Sequence, residues 1–166
     1  MKVELRHWDY SFVDELVRLA NNEKLSARLR DSFPFPYGKK DGEDWIRVNT
    51  GTNPQTQFAI FANDQFAGGA GIILNTDIHK KSAEIGYWLG EPFWGKGIGT
   101  LAIGILVKYI FAHLDIVRIY AEVFSNNPAS MRALEKNGFV LEAVLKKAIF
   151  KNSQLMDGYL WVKLRS

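Results

Sequence analysis

The sequence predicts a mixed α/β (α+β) domain: a twisted, mostly antiparallel sheet of about seven strands, with one parallel pair and helices on its flanks. Three observations predict it. Strand-like segments recur along the 166 residues, most of them joined by turns too short for anything but antiparallel pairing. One apolar helical pattern, from about Ile98 to His113, separates a strand ending near Leu89 from another starting near Ile116, and a helix of that length makes a βαβ crossover between parallel strands. The length is that of one domain, ~100–200 residues, and no repeat or linker divides it, so residues 1–166 are read as a single domain.

Taken in order, KVELRHW alternates Val3, Leu5 and His7 with charged neighbours and reads as the first strand. DYSFVDELVRLANNEKLSARLRDS has helical spacing at Phe12, Leu16 and Leu19, with Asp9 or Ser11 as the cap. FPFPYGKKDG is a loop, and a short helix at Asp41–Asn49 follows it. QFAIFANDQFAGGAGIIL is two strands turning at Asn63-Asp64, and KSAEIGYWLG is a further strand. After the Ile98–His113 helix comes the strand IVRIYAEVF. NNPASMRALEKNGF is a helix with Pro128 at its first turn and Gly138 past its end. The tail is a long hairpin turning near Lys151-Asn152.

Composition excludes several classes. Apolar residues make up 47% of the chain, ample for a core. The net charge of +3 is mild and the lysine pairs (Lys39-Lys40, Lys80-Lys81, Lys146-Lys147) are scattered, so no nucleic acid partner is expected. Without cysteine there is no disulfide, thiolate metal site or cysteine nucleophile. His7, His79 and His113 lack metal-ligand spacing, so no metal is expected. No apolar run approaches the ~20 residues of a membrane span, and the charged N-terminus is no secretory leader; a cytoplasmic location is expected.

EPFWGKGIGT crowds Gly95, Gly97 and Gly99 around Lys96 at the mouth of a helix. Glycines there let several N–H groups converge on one anion at the positive end of the helix dipole. The same residues would also serve a tight strand-to-helix reversal. A P-loop is excluded, because no Lys-Ser/Thr pair follows the last glycine, and the spacing fits a dinucleotide fingerprint poorly.

WGKGIGT resembles the pyrophosphate loop, [Q/R]-x-x-G-x-[G/A], of the GNAT acyltransferase superfamily, with Trp94 where Gln or Arg is usual. NNPASMRALEKNGF is similar to that superfamily's second signature. Together with AEIGYWLGEPFWGKG, LRDSFPFPY and NSQLMDGYLWVKL, the likeness extends over nearly the whole chain and is closest to the branch of the ribosomal-protein N-terminal acetyltransferases RimJ and RimL. It implies acetyl-CoA as co-substrate, held in the gap where the parallel pair splays. The pyrophosphate would meet Trp94, Gly95, Lys96, Gly97, Ile98, Gly99 and Thr100, and the pantetheine Tyr87, Trp88 and Leu89. N–H groups near Trp88 would stabilise the oxyanion.

Asn127 fits both a cofactor contact and an N-cap. Glu84 is the implied base, with a solvent-facing strand residue as the alternative. Ser130 is the implied acid, with a helix residue bonding its own backbone as the alternative; Leu134 stands where many members carry a tyrosine. Phe33, Phe35, Tyr37 and Trp45 would shape the acceptor side or simply cover the core. The activity implied is N-acetylation of a primary amine, such as a peptide N-terminus. The alternatives are a small amine (polyamine, amino acid or aminoglycoside) and a non-catalytic acyl-CoA-binding module. A monomer or homodimer, with no membrane partner, is expected.

Overall fold

A computed structural model of the chain, describing residues 1–166, contains one seven-stranded sheet. Its elements are β1 (Val3–Arg6), α1 (Val13–Ala20), α2 (Glu23–Ser26), α3 (Lys39–Asn49), β2 (Gln57–Ala62), β3 (Gln65–Leu74), β4 (Ser82–Leu89), α4 (Ile98–His113), β5 (Arg118–Phe124), α5 (Pro128–Lys136), β6 (Val140–Lys151) and β7 (Gln154–Leu164). The strand order is β1-β2-β3-β4-β5-β7-β6. Only β4 and β5 pair in parallel, so the crossover expected from the α4 pattern is present. No helix is long and apolar enough to cross a membrane.

The single helix expected after β1 is broken. Asp9 Oδ1 accepts the Ser11 N–H at 2.9 Å and starts a 3₁₀ turn, Tyr10–Phe12, that leads into α1. Asn22 Oδ1 accepts the Leu25 N–H at 3.1 Å and restarts the chain as α2. Asparagine competes for backbone hydrogen bonds and so favours caps over helix interiors, which a count of apolar spacing overlooks. The β2–β3 hairpin turns at Asn63-Asp64, both at positive φ (48° and 63°), as a type I′ turn requires. The last hairpin turns at Asn152-Ser153 (51° and 61°), one residue later than expected.

The sheet buries both faces. On one, Ile103, Leu106 and Ile110 of α4 and Leu134 of α5 pack against Ile60, Ile72, Ala83 and Ile119. On the other, Leu16, Leu19 and Ile46 of α1 and α3 pack with Trp8, Tyr37, Phe61 and Phe66. Alternation along β2 feeds the two cores, as adjacent Ile60 and Phe61 show.

Candidate active site

The parallel pair sets the geometry. β4 and β5 pair only from Ser82↔Arg118 to Glu84↔Tyr120, whereas β5 continues against β7 as far as Phe124↔Gly158. The two strands therefore part after Glu84. Gly90 N–H donates to Ala67 O at 2.8 Å and Asn75 N–H to Ser82 O at 3.1 Å, so even-numbered residues of β4 turn their main chain to β3. The odd-numbered Tyr87 and Leu89 turn theirs into the gap. Leu89 O is taken by Trp94 Nε1 at 2.7 Å, which ties the glycine loop to the strand end. The gap-facing N–H groups beside Trp88 are thus those of Tyr87 and Leu89, while Trp88's own N–H faces β3.

Beyond the gap lies the N-terminus of α4. Gly95 (φ 72°) and Gly97 (φ 80°) are both left-handed, and Gly97 is the N-cap. A Cβ on either would meet no atom within 4 Å. The loop is therefore open to an approaching anion, and its glycines answer a backbone requirement rather than a contact. Gly99 differs: a Cβ there would lie 2.9 Å from the Tyr87 ring. Ile98 is buried in the core, and Lys96 is exposed. Arg28 stacks its guanidinium 4.8 Å over the Trp94 ring.

Side chains divide between the two faces. Tyr87 packs toward α4 and α5, where the Ser130 hydroxyl stands beside it. Burial raises the phenol above its ordinary range, and Ser130 offsets this only in part, so Tyr87 stays a neutral donor. Asn127 Oδ1 accepts the Ser130 N–H at 3.4 Å and caps α5; its Nδ2 makes no bond within the chain, which leaves a donor for a ligand. Leu134 is core.

From the opposite face Glu84 projects, its side chain only 17% exposed and its Oε1 held by Arg30. Trp88 shares that face, edge-on to Phe33 at 5.5 Å and to Phe66 at 6.3 Å. Tyr37 is core, 5% exposed, with Phe33 tilted against it at 5.2 Å. Trp45 packs edge-on to Trp8, and Phe35 is exposed. Of the four expected acceptor residues, Phe33 flanks Trp88, Tyr37 lies in the second core, Trp45 packs on that core's Trp8, and Phe35 joins neither. None of them lines the cavity nearby, a space of about 360 Å³ walled by Leu29, Arg30, Glu122, Phe124, Phe150 and Lys151, among others.

Sequence reasoning missed Arg30 and Glu122. The signal for Glu122 was present: RIYAEVF alternates, placing Tyr120 and Glu122 on the face opposite the buried Ile119, Ala121 and Val123. With Glu84 in register with Tyr120, Glu122 lies on the face Glu84 uses, just past the point where the strands part. No group of three or more His, Cys, Asp or Glu is gathered to hold a metal.

Residues 2–140 match the family model for the acetyltransferase (GNAT) domain. The chain is 33% identical over 149 residues to the ribosomal-protein-serine acetyltransferase of Escherichia coli (strain K12), covering 85% of this chain and 82% of that one. Among solved structures, RimL, the ribosomal L7/L12 alpha-N-protein acetyltransferase, in complex with coenzyme A superposes with a TM-score of 0.86 at 26% identity, over 99% of this chain and 94% of that one. Spermidine N-acetyltransferase from Vibrio cholerae, in complex with CoA and spermine, gives 0.81 at 25% identity, over 98% and 95%.

Proposed function

The chain belongs to the GNAT acetyltransferase family, whose members use acetyl-CoA, and on that premise we propose that it acetylates the α-amine of a peptide or protein N-terminus. The observation that carries the reading is the parting of β4 and β5 directly after Glu84, in front of an open glycine loop. The loop fits the co-substrate. Main-chain N–H groups from Gly95 to Thr100, with Lys96 nearby, would hold its diphosphate, and Tyr87 and Leu89 its amide arm. Bound there, acetyl-CoA supplies an activated acyl group. Preference for a peptide amine rests on the likeness to the ribosomal-protein-serine acetyltransferase.

Base and acid are assigned to opposite faces of the sheet. Glu84, steadied by Arg30, takes the proton that an ammonium must lose to become a nucleophile. Ser130 Oγ, beside the neutral Tyr87 phenol, would give its proton from the α4–α5 side to the CoA sulfur as the thioester C–S bond breaks and the new amide C–N bond forms. The gap between them admits the acceptor from one face and the acyl donor from the other. The N–H groups of Tyr87 and Leu89 provide the preorganised donors that charge developing on an acyl oxygen needs.

Turnover of acetyl-CoA over a panel of peptides with free N-termini, polyamines and amino acids tests this. Glu84→Gln should lower kcat by ~10²–10⁴-fold and leave acetyl-CoA affinity intact, with the smallest loss at high pH, where more amine is already deprotonated. Ser130→Ala should lower kcat, more for a poor thiol leaving group than for an activated one. No turnover with any amine would reject the reading, and a Ser130→Ala variant altered only in thermal stability would reject that residue's role.

A further inference from the structure

The cavity of about 360 Å³ on the Glu84 face is lined by two cations, Arg30 and Lys151, and two carboxylates, Asp31 and Glu122, but one of the cations is engaged from outside the lining. Arg30 pairs with Glu84, and Lys151, itself almost fully buried, pairs with Asp31 at 2.8 Å. Each pair cancels. Glu122 is left over: it lines the cavity, is half-buried, and has no hydrogen-bond or ion-pair partner in the chain. A carboxylate so placed has lost part of its hydration without a compensating charge, an arrangement that suits a cationic ligand.

A second observation gives this carboxylate a built seat. Gly158 of β7 lies directly opposite Phe124 and beneath Glu122, and a Cβ there would stand 2.3 Å from Glu122 Oε1. Gly158 has no positive φ to explain it. Its missing side chain is what lets the carboxylate lie against the sheet beside the point where β4 and β5 part.

We propose that Glu122 receives the ammonium of the acetyl acceptor, and that the cavity takes a monocationic primary amine on an apolar stem. This rests on the reading of the chain as an amine acetyltransferase. The single uncompensated charge sets the valence. Leu29, Phe124, Ile149 and Phe150 supply apolar wall. With Asp31 taken by Lys151, the lining holds no second free carboxylate for a second ammonium, so a polyamine is disfavoured and a peptide α-amine with an uncharged neighbour fits.

The experiment uses the full chain with two probes. In steady-state kinetics with acetyl-CoA, a short uncharged peptide amide with a free N-terminus should exceed spermidine in kcat/KM. Glu122→Gln should raise the peptide's KM at least tenfold and leave the KM for acetyl-CoA unchanged, which also certifies the fold. Gly158→Ala should raise the amine KM in the same way by displacing the carboxylate. Independently of turnover, n-butylammonium should shift the Gly158 amide resonance of the wild type, n-butanol should not, and Glu122→Gln should abolish the shift. If no amine is acetylated but that shift is present and lost in the variant, the ammonium site stands and the acetyltransferase reading falls. If amines are acetylated while Glu122→Gln leaves their KM unchanged, or spermidine outruns the peptide, the proposal is overturned.

Discussion

Gly97 and Gly99 stand two positions apart in one run, yet they are glycine for different reasons. Gly97 caps α4 at φ 80° with open space around its missing Cβ. An L-residue there meets backbone strain of about 1–2 kcal/mol and no clash. Gly97→Ala is therefore expected to weaken acetyl-CoA binding by about tenfold if the free loop relaxes, and Gly97→Asn less, since asparagine tolerates the left-handed region. Gly99→Ala instead drives a methyl to 2.9 Å from the Tyr87 ring. It should lower kcat more than affinity, because the displaced phenol lies beside Ser130. Calorimetry with acetyl-CoA and steady-state rates on the same variants separate the two, and equal loss of affinity in both would refute the distinction. The sequence marked both glycines as special, but only the fold tells a strained backbone from a close neighbour.

Among the elements, the β6–β7 hairpin carries its strain in the open. Asn152 and Ser153 both hold positive φ (51° and 61°) at the turn, and the second position of a type I′ turn prefers glycine. Ser153→Gly should stabilise the protein by roughly 0.5–1 kcal/mol, read as a higher urea midpoint with unchanged slope. A lower midpoint would mean the turn depends on the serine side chain. The hairpin was legible as a hairpin, and its place in the sheet was not. β7 returns between β5 and β6, which buries its Val162 and Gly158 and leaves Val140 and Leu141 of the edge strand β6 exposed. The second strand thereby gains two neighbours and brings Gly158 under Glu122.

At the scale of the whole molecule, the sheet separates two cores, and Tyr37 anchors the loop that follows α2 in the second of them. Burial, with the negative charge of Asp41 adding to it, pushes the Tyr37 phenol up to about 12 from its ordinary 10.0. The folded state thus favours the neutral phenol. The stability tied to that proton is intact below pH 10 and is lost as pH climbs from about 10 to about 12, on the order of 2–3 kcal/mol when fully ionised. Tyr37→Phe should flatten this alkaline decline in urea midpoints measured between pH 8 and pH 11.5. An unchanged decline would assign it to other groups.

By itself the sequence determined most of the elements, the crossover and the glycine loop, because each is written in local spacing: period two, period three to four, and glycine before a helix; the family was legible through the resemblance of two short motifs, WGKGIGT and NNPASMRALEKNGF. The same resemblance singled out Glu84 and Ser130 as the base and acid proposed above. What it left open required distance. That Arg30 holds Glu84, that Tyr37 is core rather than cavity wall, and that Glu122 is the unpaired carboxylate seated on Gly158 all join residues dozens of positions apart. Pairing of charges, burial of a ring and the parting of two strands are properties of neighbours in space, and packing alone decides which neighbours those are.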